Sequence, residues 1–264
     1  MSTAMYAVRD SATMLRRNLK HMARYPSQTL MLIALPLLFL LLFVHVFGST
    51  MGAGLPGAPA GDRGDYLTFV TPGILVMAVA SVSISTAVSV ATDMTGGIID
   101  RFRTMAIAKV SVLTGHVLGA MVQTALALAA VFGVALLLGL ETAASVMQWS
   151  GVIGLLALLS FAMTWFAVAL GLASPNPETA SNWPMLFIML PFVGSGFVPV
   201  ESMPAGLQWF ADHQPFTPVM DALRGLLAGA PHGEDVPWAI GWSGGIGLAG
   251  YLWSRRLYRT RAAK

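Results

Sequence analysis

Six long apolar runs alternate with polar connections along this sequence. The runs cover residues 30–47, 68–91, 112–140, 149–173, 183–198 and 236–253. A helix that crosses a bilayer needs about 20 apolar residues, within a range of about 17 to 25. Charged residues make up 10% of the chain, against about 25% in soluble domains, so a soluble fold would lack a polar surface. The pattern predicts one all-α integral membrane domain over 1–264 with six transmembrane helices.

The residues before the first run, 1–26, form an amphipathic pattern. Apolar residues recur every three or four positions, and basic residues fall between them. The apolar set is Met5, Val8, Ala12, Leu15, Leu19 and Met22, and the basic set is Arg9, Arg16, Arg17, Lys20 and Arg24. The pattern predicts an interface helix that lies on an anionic leaflet of the bilayer and ends at Tyr25-Pro26. Packing on a partner protein is the alternative.

A cleaved signal peptide is a second interpretation of the N-terminal residues. Arg16 and Arg17 resemble a twin-arginine signal, and Ala58-Pro59-Ala60 resembles a cleavage site. However, the apolar run at 30–47 exceeds an h-region of about 7 to 15 residues, and further apolar runs follow it. A retained membrane segment is therefore the favoured interpretation.

The distribution of Lys and Arg predicts the orientation. If the N-terminus lies inside, all of the 15 basic residues except Arg63 and Arg224 fall in the N-terminal helix, the stretch 93–109 or the C-terminal tail. Inside loops of membrane proteins carry this excess of positive charge. We therefore expect both termini in the cytoplasm. Because the basic residues line one leaflet, the pI of about 9.5 requires no nucleic-acid partner.

The stretch 93–109, DMTGGIIDRFRTMAIAK, is the charged interruption between the second and third runs. Gly96 and Gly97 permit a sharp exit from the second run. An apolar helical stripe and three charged residues follow, namely Ile98, Ile99, Phe102 and Met105 with Asp100, Arg101 and Arg103. A short rigid helix at this place would move both neighbouring spans when pushed, which predicts a cytoplasmic coupling helix. A loop helix that rests on the lipid surface fits the spacing equally well.

The segment 199–235 separates the fifth and sixth runs and is too short and too polar to cross twice. It contains an apolar stripe at helical spacing, formed by Phe216, Val219, Met220, Leu223, Leu226 and Leu227. Asp221 and Arg224 lie three residues apart and can pair. The pattern predicts a re-entrant hairpin of two short helices at the outer leaflet, with a surface helix packed over the spans as the alternative.

Small residues recur at four-residue spacing in two of the runs. They are Ser81, Ser85 and Ser89 in the second run, and Gly241, Gly245 and Ala249 in the sixth. Small residues allow transmembrane helices to approach closely. We expect these faces to pack within one chain rather than at a dimer seam, and the three serines are also candidates for lining a substrate path.

Catalytic and metal-binding patterns are scarce. None of Lys20, Lys109 and Lys264 fits the Gly-Lys-Ser/Thr of a phosphate loop, so ATP and magnesium are expected only in a separate ATPase subunit. The chain has no Cys, and His45, His116, His213 and His232 are far apart in sequence, so no metal or cofactor site is predicted. Asp and Glu are absent from the six runs, which disfavours an ion-coupled carrier.

Three stretches together resemble the type-2 ATP-binding-cassette (ABC) export permeases, the class that contains daunorubicin-type drug-resistance exporters. Residues 96–118 resemble the coupling helix and the start of the third span of that family. Residues 192–204 resemble the end of its fifth span, and residues 207–229 resemble its outer re-entrant helices, including Arg224. Two departures are Gln214-Pro215 in place of the frequent Asn-Pro, and Asp100-Arg101-Phe102-Arg103 in place of Glu-Arg-Leu-Arg.

The resemblance implies an export permease of a bacterial cytoplasmic (inner) membrane, without ATPase activity of its own. Two such chains, as a homodimer, would pair with two ATPase subunits and move a lipophilic or amphipathic drug, lipid or glycan outward. The implied coupling residues are Gly96, Gly97, Ile98, Ile99, Asp100, Arg101, Phe102 and Arg103, and the implied outer-gate residues are Pro199, Met203, Pro204, Pro215, Asp221 and Arg224.

Two other function classes fit parts of the sequence. The first is a passive or ion-coupled membrane transporter that acts alone, against which the lack of acidic residues in the runs counts. The second is a membrane-embedded enzyme, for which the only candidate groups are Asp212, His213, Asp221 and His232 in the outer segment. Transport by the purified chain without nucleotide would support the first of these, and loss of a turnover on replacing His213 and His232 would support the second.

Overall fold

The computed structural model of the protein describes residues 3–55, 62–96, 109–230 and 233–261. Within these ranges the chain forms ten α-helices and no strand. The helices are α1 (Thr3–Arg24), α2 (Pro26–Leu42), α3 (Gly48–Gly52), α4 (Arg63–Thr95), α5 (Lys109–Leu137), α6 (Val146–Ala173), α7 (Pro177–Met189), α8 (Ala205–His213), α9 (Phe216–Leu227) and α10 (Asp235–Arg261). The all-α prediction is confirmed.

Among the described residues, four stretches are long and apolar enough to cross a membrane. They are Pro26–Gly52, Arg63–Thr95, Leu113–Leu137 and Val146–Ala173, and they contain most of the first four predicted runs. The first is continuous because a π-helical segment, Phe43–Phe47, joins α2 to α3. The fifth predicted run, 183–198, is instead divided between α7 and a 3-10 helix, Leu190–Val193. Pro191 explains this ending, since a proline inside a helix removes a hydrogen bond and clashes with the preceding turn.

Helix α4 forms the centre of the fold and packs against α2, α5, α6, α7 and α9. It begins at a capping box in which the Asp62 side chain accepts hydrogen bonds from the backbone N–H groups of Gly64 and Asp65. Its residues from Val70 to Ser83 are all buried. The other helices that contribute residues to the polar groups described below contact either α4 or a helix that itself contacts α4.

Helix α1 runs from Thr3 to Arg24 and packs on α5. Asn18 Nδ2 donates to Gly115 O at 2.8 Å, and Met14 is buried. The predicted boundary at Tyr25-Pro26 is confirmed, since α1 ends at Arg24 and α2 begins at Pro26. Leu19, from the predicted apolar stripe, remains exposed and is available to contact lipid.

Helix α10 packs against α6 through a different face from the one predicted. Gly247 and Gly250 approach α6, where a Cβ at Gly250 would lie 2.6 Å from Phe166 N. Gly241, Gly245 and Ala249 are exposed instead. The prediction that this second set packs within the chain is therefore wrong, because a 3.6-residue period alone does not say which of two small faces meets a neighbour.

The segment 199–235 contains two short helices, α8 and α9, preceded by a 3-10 helix at Val200–Ser202. The predicted apolar stripe of α9 is buried throughout, against α4, α6 and α10. The chain turns away from α9 at Gly229, whose φ of 75° favours glycine. Ala143 N donates to Leu227 O at 3.1 Å, which ties the α5–α6 connection to the end of α9.

Candidate functional site

Arg224 of α9 lies at the centre of a polar group that we call the outer network, formed by Phe69, Ser195, Asp221 and Arg224. Its Nη2 donates to the backbone carbonyls of Ser195, at 2.6 Å, and of Phe69, at 3.2 Å. Its Nη1 pairs with Asp221, and Ser195 Oγ donates to the same carboxylate at 2.7 Å. The predicted pairing of Asp221 with Arg224 is therefore present. The guanidinium joins α9, α4 and the turn after α7.

The environment of Arg224 makes this network costly to rearrange. The guanidinium carbon lies 4.1 Å from the centre of the Phe69 ring, in the geometry of a cation–π contact. Burial lowers the pKa of the Arg224 guanidinium, and Asp221 opposes that change. Arginine is charged in either case. Moving it away from Asp221 would therefore leave a charge in a poorly solvated place.

Close backbone contacts support the outer network. A Cβ at Gly73 of α4 would lie 2.6 Å from Gly196 O, so only glycine fits at that crossing. Tyr66 donates its hydroxyl hydrogen to Phe197 O at 3.1 Å, one residue further along the turn. Gln214 Nε2 donates to Leu190 O and to Thr217 Oγ1. The turn after α7 is thus attached to both α4 and α9.

The other predicted gate residues do not join this network. Pro199 precedes the 3-10 helix, Pro204 precedes α8 and Pro215 precedes α9. The Met203 N–H donates to Val200 O at the end of the 3-10 helix. These residues set where short helices begin and end, whereas the outer network is formed by Arg224, Asp221 and Ser195. Of these, Ser195 was not indicated by the sequence pattern.

A second polar group, which we call the inner cluster, lies near the other end of α4. Arg17 Nη2 contacts both oxygens of Asp93, at 3.2 and 3.3 Å, and His116 Nε2 donates to Asp93 Oδ2 at 3.1 Å. The cluster joins α1, α4 and α5. Asp93 and His116 are each 7% exposed, whereas the Arg17 side chain is 41% exposed.

The inner cluster corrects two predictions. The apolar pattern assigns Asp93 to the coupling stretch 93–109, but α4 continues through Thr95, so Asp93 belongs to the second span. His116 is isolated in the sequence because no acidic residue is close to it along the chain, yet the fold gives it a partner. The signal that could have linked them is the charge of Asp93 directly after an apolar run, since an acidic group there requires a partner.

A cavity of about 700 Å³ adjoins the inner cluster, between α1, α2, α4 and α5. We call it the inner cavity. Ser85 and Ser89 line it together with Asp93 and His116, and the opposite wall is the apolar side of α2 that includes Leu35 and Leu38.

Ser81, the third of the predicted path residues, does not line the inner cavity. It is 2% exposed, and its hydroxyl donates to Met77 O at 2.9 Å within α4. The structure therefore brings two of the three serines to one cavity and buries the third within the fold.

The predicted coupling residues lie outside the described residues, except Gly96. Gly96 ends α4, and its N–H donates to Thr92 O at 2.9 Å. Its φ of −76° is accessible to any residue, so the special freedom of glycine is not needed at this position. The prediction that Gly97, Ile98, Ile99, Asp100, Arg101, Phe102 and Arg103 form a coupling helix stays a prediction.

The candidate groups for an enzyme are not assembled into a site in the described residues. Asp221 is bound by Arg224 and Ser195. His213 is exposed and stacks on Trp209 at 4.7 Å between ring centres, while His232 lies outside the described ranges. In the described part of the chain, no three His, Asp or Glu side chains group in a way that could hold a metal ion.

Comparison with known proteins identifies the family. Residues 10–228 match the model of the ABC-2 type transporter family. The chain belongs to this family. It is 31% identical over 258 residues to the daunorubicin resistance ABC transporter permease protein DrrB1 of Streptomyces coeruleorubidus, covering 97% of this chain and 88% of the relative. It is also 23% identical to a probable doxorubicin resistance ABC transporter permease protein, DrrC, of Mycobacterium tuberculosis, over 81% of this chain and 75% of the relative.

Membership of the ABC-2 family defines the class of this protein. It is a multi-pass membrane protein and the permease subunit of an ABC transporter, and it works with an ATPase that is a separate partner. The resemblance noted from the sequence is confirmed. Permeases of this kind are membrane subunits, which agrees with the prediction that the chain is not itself the ATPase.

Proposed function

We propose that this permease exports a lipophilic or amphipathic drug-like cargo, and that α4 carries the movement of the ATPase partner to the outer network. One observation supports this most directly, namely that α4 contributes both to the inner cluster, through Asp93, and to the outer network, through Phe69. The predicted coupling stretch follows α4 immediately after Gly96. A displacement of that stretch would therefore reach both polar groups through one helix.

The length of α4 suits this role. Phe69 and Asp93 are separated by about 36 Å along a straight helix at 1.5 Å per residue, which exceeds the hydrocarbon thickness of about 30 Å. The residues between them carry no charge. We infer that the inner cluster lies near the cytoplasmic face of a bacterial inner membrane and the outer network near the opposite face, with both termini cytoplasmic and with α8 and α9 re-entering the outer leaflet.

The cargo class rests on the relatives and on the inner cavity. The relatives are named for resistance to daunorubicin and doxorubicin. The inner cavity combines an apolar wall from α2 with the hydroxyl groups of Ser85 and Ser89, which suits a molecule that is mainly apolar with a few polar groups. We propose that cargo enters the permease through this cavity.

The coupling role is tested in inside-out vesicles that contain the permease and its ATPase subunit. Arg101→Glu and Asp100→Lys are expected to leave membrane insertion and basal ATP hydrolysis intact and to abolish drug-stimulated transport. Arg256→Glu is the control, because it reverses an exposed charge on α10. Full transport by both coupling variants would refute the proposal for residues 97–108.

We further propose that two permease chains assemble with two ATPase subunits. Phe192, in the 3-10 helix that follows α7, packs against Phe39 of α2 and Phe43 of the π-helical segment, with ring centres 5.4 and 6.2 Å apart. Leu38 of α2 and Leu186 of α7 are 62% and 57% exposed. Both helices therefore expose apolar side chains that a second permease chain would cover, and Leu38 also lines the inner cavity.

The absence of native Cys makes this assembly simple to test. Leu38→Cys and Leu186→Cys are expected to form disulfide-linked dimers in membranes treated with a mild oxidant. Leu248→Cys on α10, which is 61% exposed, serves as the control and is expected to stay monomeric. Dimers from the control alone would move the seam to α10, and no dimers from any variant would contradict the assignment to α2 and α7.

A further inference from the structure

We propose that α1 carries a binding site for the headgroup of an anionic phospholipid. The site, which we call the basic pocket, has a volume of about 580 Å³ and lies at the end of α1. It is lined by Thr13, Arg16, Arg17, Lys20, Arg24 and Tyr25. Four of these six side chains are cationic and none is acidic. A pocket with this lining attracts an anion with several oxygen acceptors.

The chemistry of the lining favours a phosphate group. Arginine presents a planar set of donors that matches phosphate oxygens, and lysine adds a compact charge. The Thr13 hydroxyl donates to Arg9 O at 3.0 Å, so binding there depends on the basic side chains. Bringing four positive charges together is unfavourable, and although Asp93 offsets charge at Arg17, a phosphate in the pocket would offset more of it.

The surface beside the basic pocket favours a lipid over a free phosphate compound. Helix α2 follows directly, and its first turns expose Leu30 and Met31, which are 64% and 75% exposed. Tyr25 lines the basic pocket and directly precedes α2 in the chain, and tyrosine is enriched at membrane interfaces. A phospholipid would use both surfaces, with its phosphate in the pocket and its acyl chains along α2. A soluble phosphate would leave the apolar part unused.

Arg17 connects this site to the inner cluster. It lines the basic pocket and also the inner cavity, and it contacts Asp93. A headgroup phosphate and the Asp93 carboxylate would therefore share one guanidinium. The bound lipid would sit beside the inner cavity, because Arg17 and Met31 line that cavity as well.

The test uses the purified full-length permease in a neutral detergent. Phosphatidylglycerol and phosphatidylcholine are added separately, and the lipids retained per chain are counted by native mass spectrometry. The pocket variant is Arg16→Gln with Lys20→Gln, which leaves Arg17 and its contact with Asp93 in place. The control variant is Arg9→Gln with Arg259→Gln, which removes two exposed charges outside the pocket.

We expect the wild type to prefer phosphatidylglycerol, and the pocket variant to lose this preference by about tenfold or more because attraction grows with each basic residue near the headgroup. The control is expected to keep it. Equal losses in both variants would show a diffuse charge effect and overturn the site. A wild type without preference would do the same, whether or not the pocket variant folds. Displacement of the lipid by inorganic phosphate at similar concentration would assign the pocket to a free phosphate instead.

Discussion

The outer network and the inner cluster hold opposite ends of α4 by different chemistry. In the outer network, Arg224 donates to two backbone carbonyls as well as to Asp221, and its side chain is 23% exposed. In the inner cluster, the side chains of Arg17 and His116 contact the Asp93 carboxylate, and the Arg17 side chain is 41% exposed. Water can replace an exposed partner at little cost, whereas a buried guanidinium has few alternatives. We infer that the inner end of α4 is the easier end to release and that the outer end resists until α9 moves.

The largest effect is expected from Arg224→Ala. Removal of one member of a buried ion pair costs about 3–5 kcal/mol, and the partial exposure of Arg224 places the expected loss of unfolding free energy at about 3 kcal/mol. The carbonyls of Phe69 and Ser195 would lose the Arg224 donor, and Asp221 would keep only the Ser195 hydroxyl. Thermal unfolding of the purified permease measures this loss.

The matched control for Arg224→Ala is Arg224→Lys. Lysine keeps the positive charge but cannot reach three acceptors with a planar fork, so most of the loss is expected to remain. If Arg224→Lys is as stable as the wild type, charge alone holds the outer end of α4, and the contrast with the inner cluster would disappear.

A pair of glycine substitutions tests the same contrast in packing. A Cβ at Gly73 would meet the Gly196 backbone at 2.6 Å, whereas a Cβ at Gly119 of α5 would meet the Asn18 side chain at 3.0 Å. A backbone cannot yield easily, so Gly73→Ala is expected to destabilise by about 2 kcal/mol, within the range for overpacking. Gly119→Ala is expected to destabilise less, because its Cβ would meet the Asn18 Cβ at 3.0 Å rather than a backbone carbonyl at 2.6 Å, and because alanine favours helix.

Gly133→Ala is the control for both glycine substitutions, since a Cβ at Gly133 would have no neighbouring atom within 4 Å. It is expected to match or slightly exceed the wild type in melting temperature. A loss of stability at Gly119 as large as the loss at Gly73 would mean that the contact of α5 with α1 is as rigid as the contact of α4 with the turn after α7.

Asp93→Asn is expected to have a smaller effect than Arg224→Ala. The substitution keeps the shape of the side chain but removes its charge, and Arg17 can then turn toward water. We expect a loss of about 1–2 kcal/mol, between the values for exposed and buried ion pairs. A double-mutant cycle with His116→Gln measures how much of it belongs to the buried contact. A loss of stability larger than that of Arg224→Ala would contradict the inference that the inner end of α4 is easier to release than the outer end.

The sequence predicted the parts of this fold that depend on local pattern. The end of α1 before Pro26, the buried stripe of α9 and the pairing of Asp221 with Arg224 all follow from spacing along one helix. The contacts that hold the two ends of α4 join residues that are distant in sequence. Arg17 and Asp93 are 76 positions apart, and Arg224 and Phe69 are 155 apart.

Two features that a sequence pattern does not show, backbone acceptors and the choice of neighbouring helix face, explain where the structure differs from the predictions. Phe69 and Ser195 accept from Arg224 through carbonyl oxygens, which every residue has, so their side chains gave no signal. Likewise, Gly241 and Gly245 follow a helical spacing as the packed Gly247 and Gly250 do, yet they are exposed. Which helix lies opposite a face is a property of the whole fold and is not encoded in the period of one segment.

The smallest effect on stability is expected from Ser89→Leu in the inner cavity. Ser89 is exposed within α4 and lines the cavity, so the larger side chain takes space from a ligand without entering the packed core. We expect an unchanged melting temperature and a few-fold decrease in the transport of a bulky drug. Ser150→Leu on α6 provides the control, because Ser150 is also exposed but does not line the cavity. Unchanged transport by both variants would separate the cavity from the cargo path, and α4 would then connect two polar groups without bordering the route of the cargo.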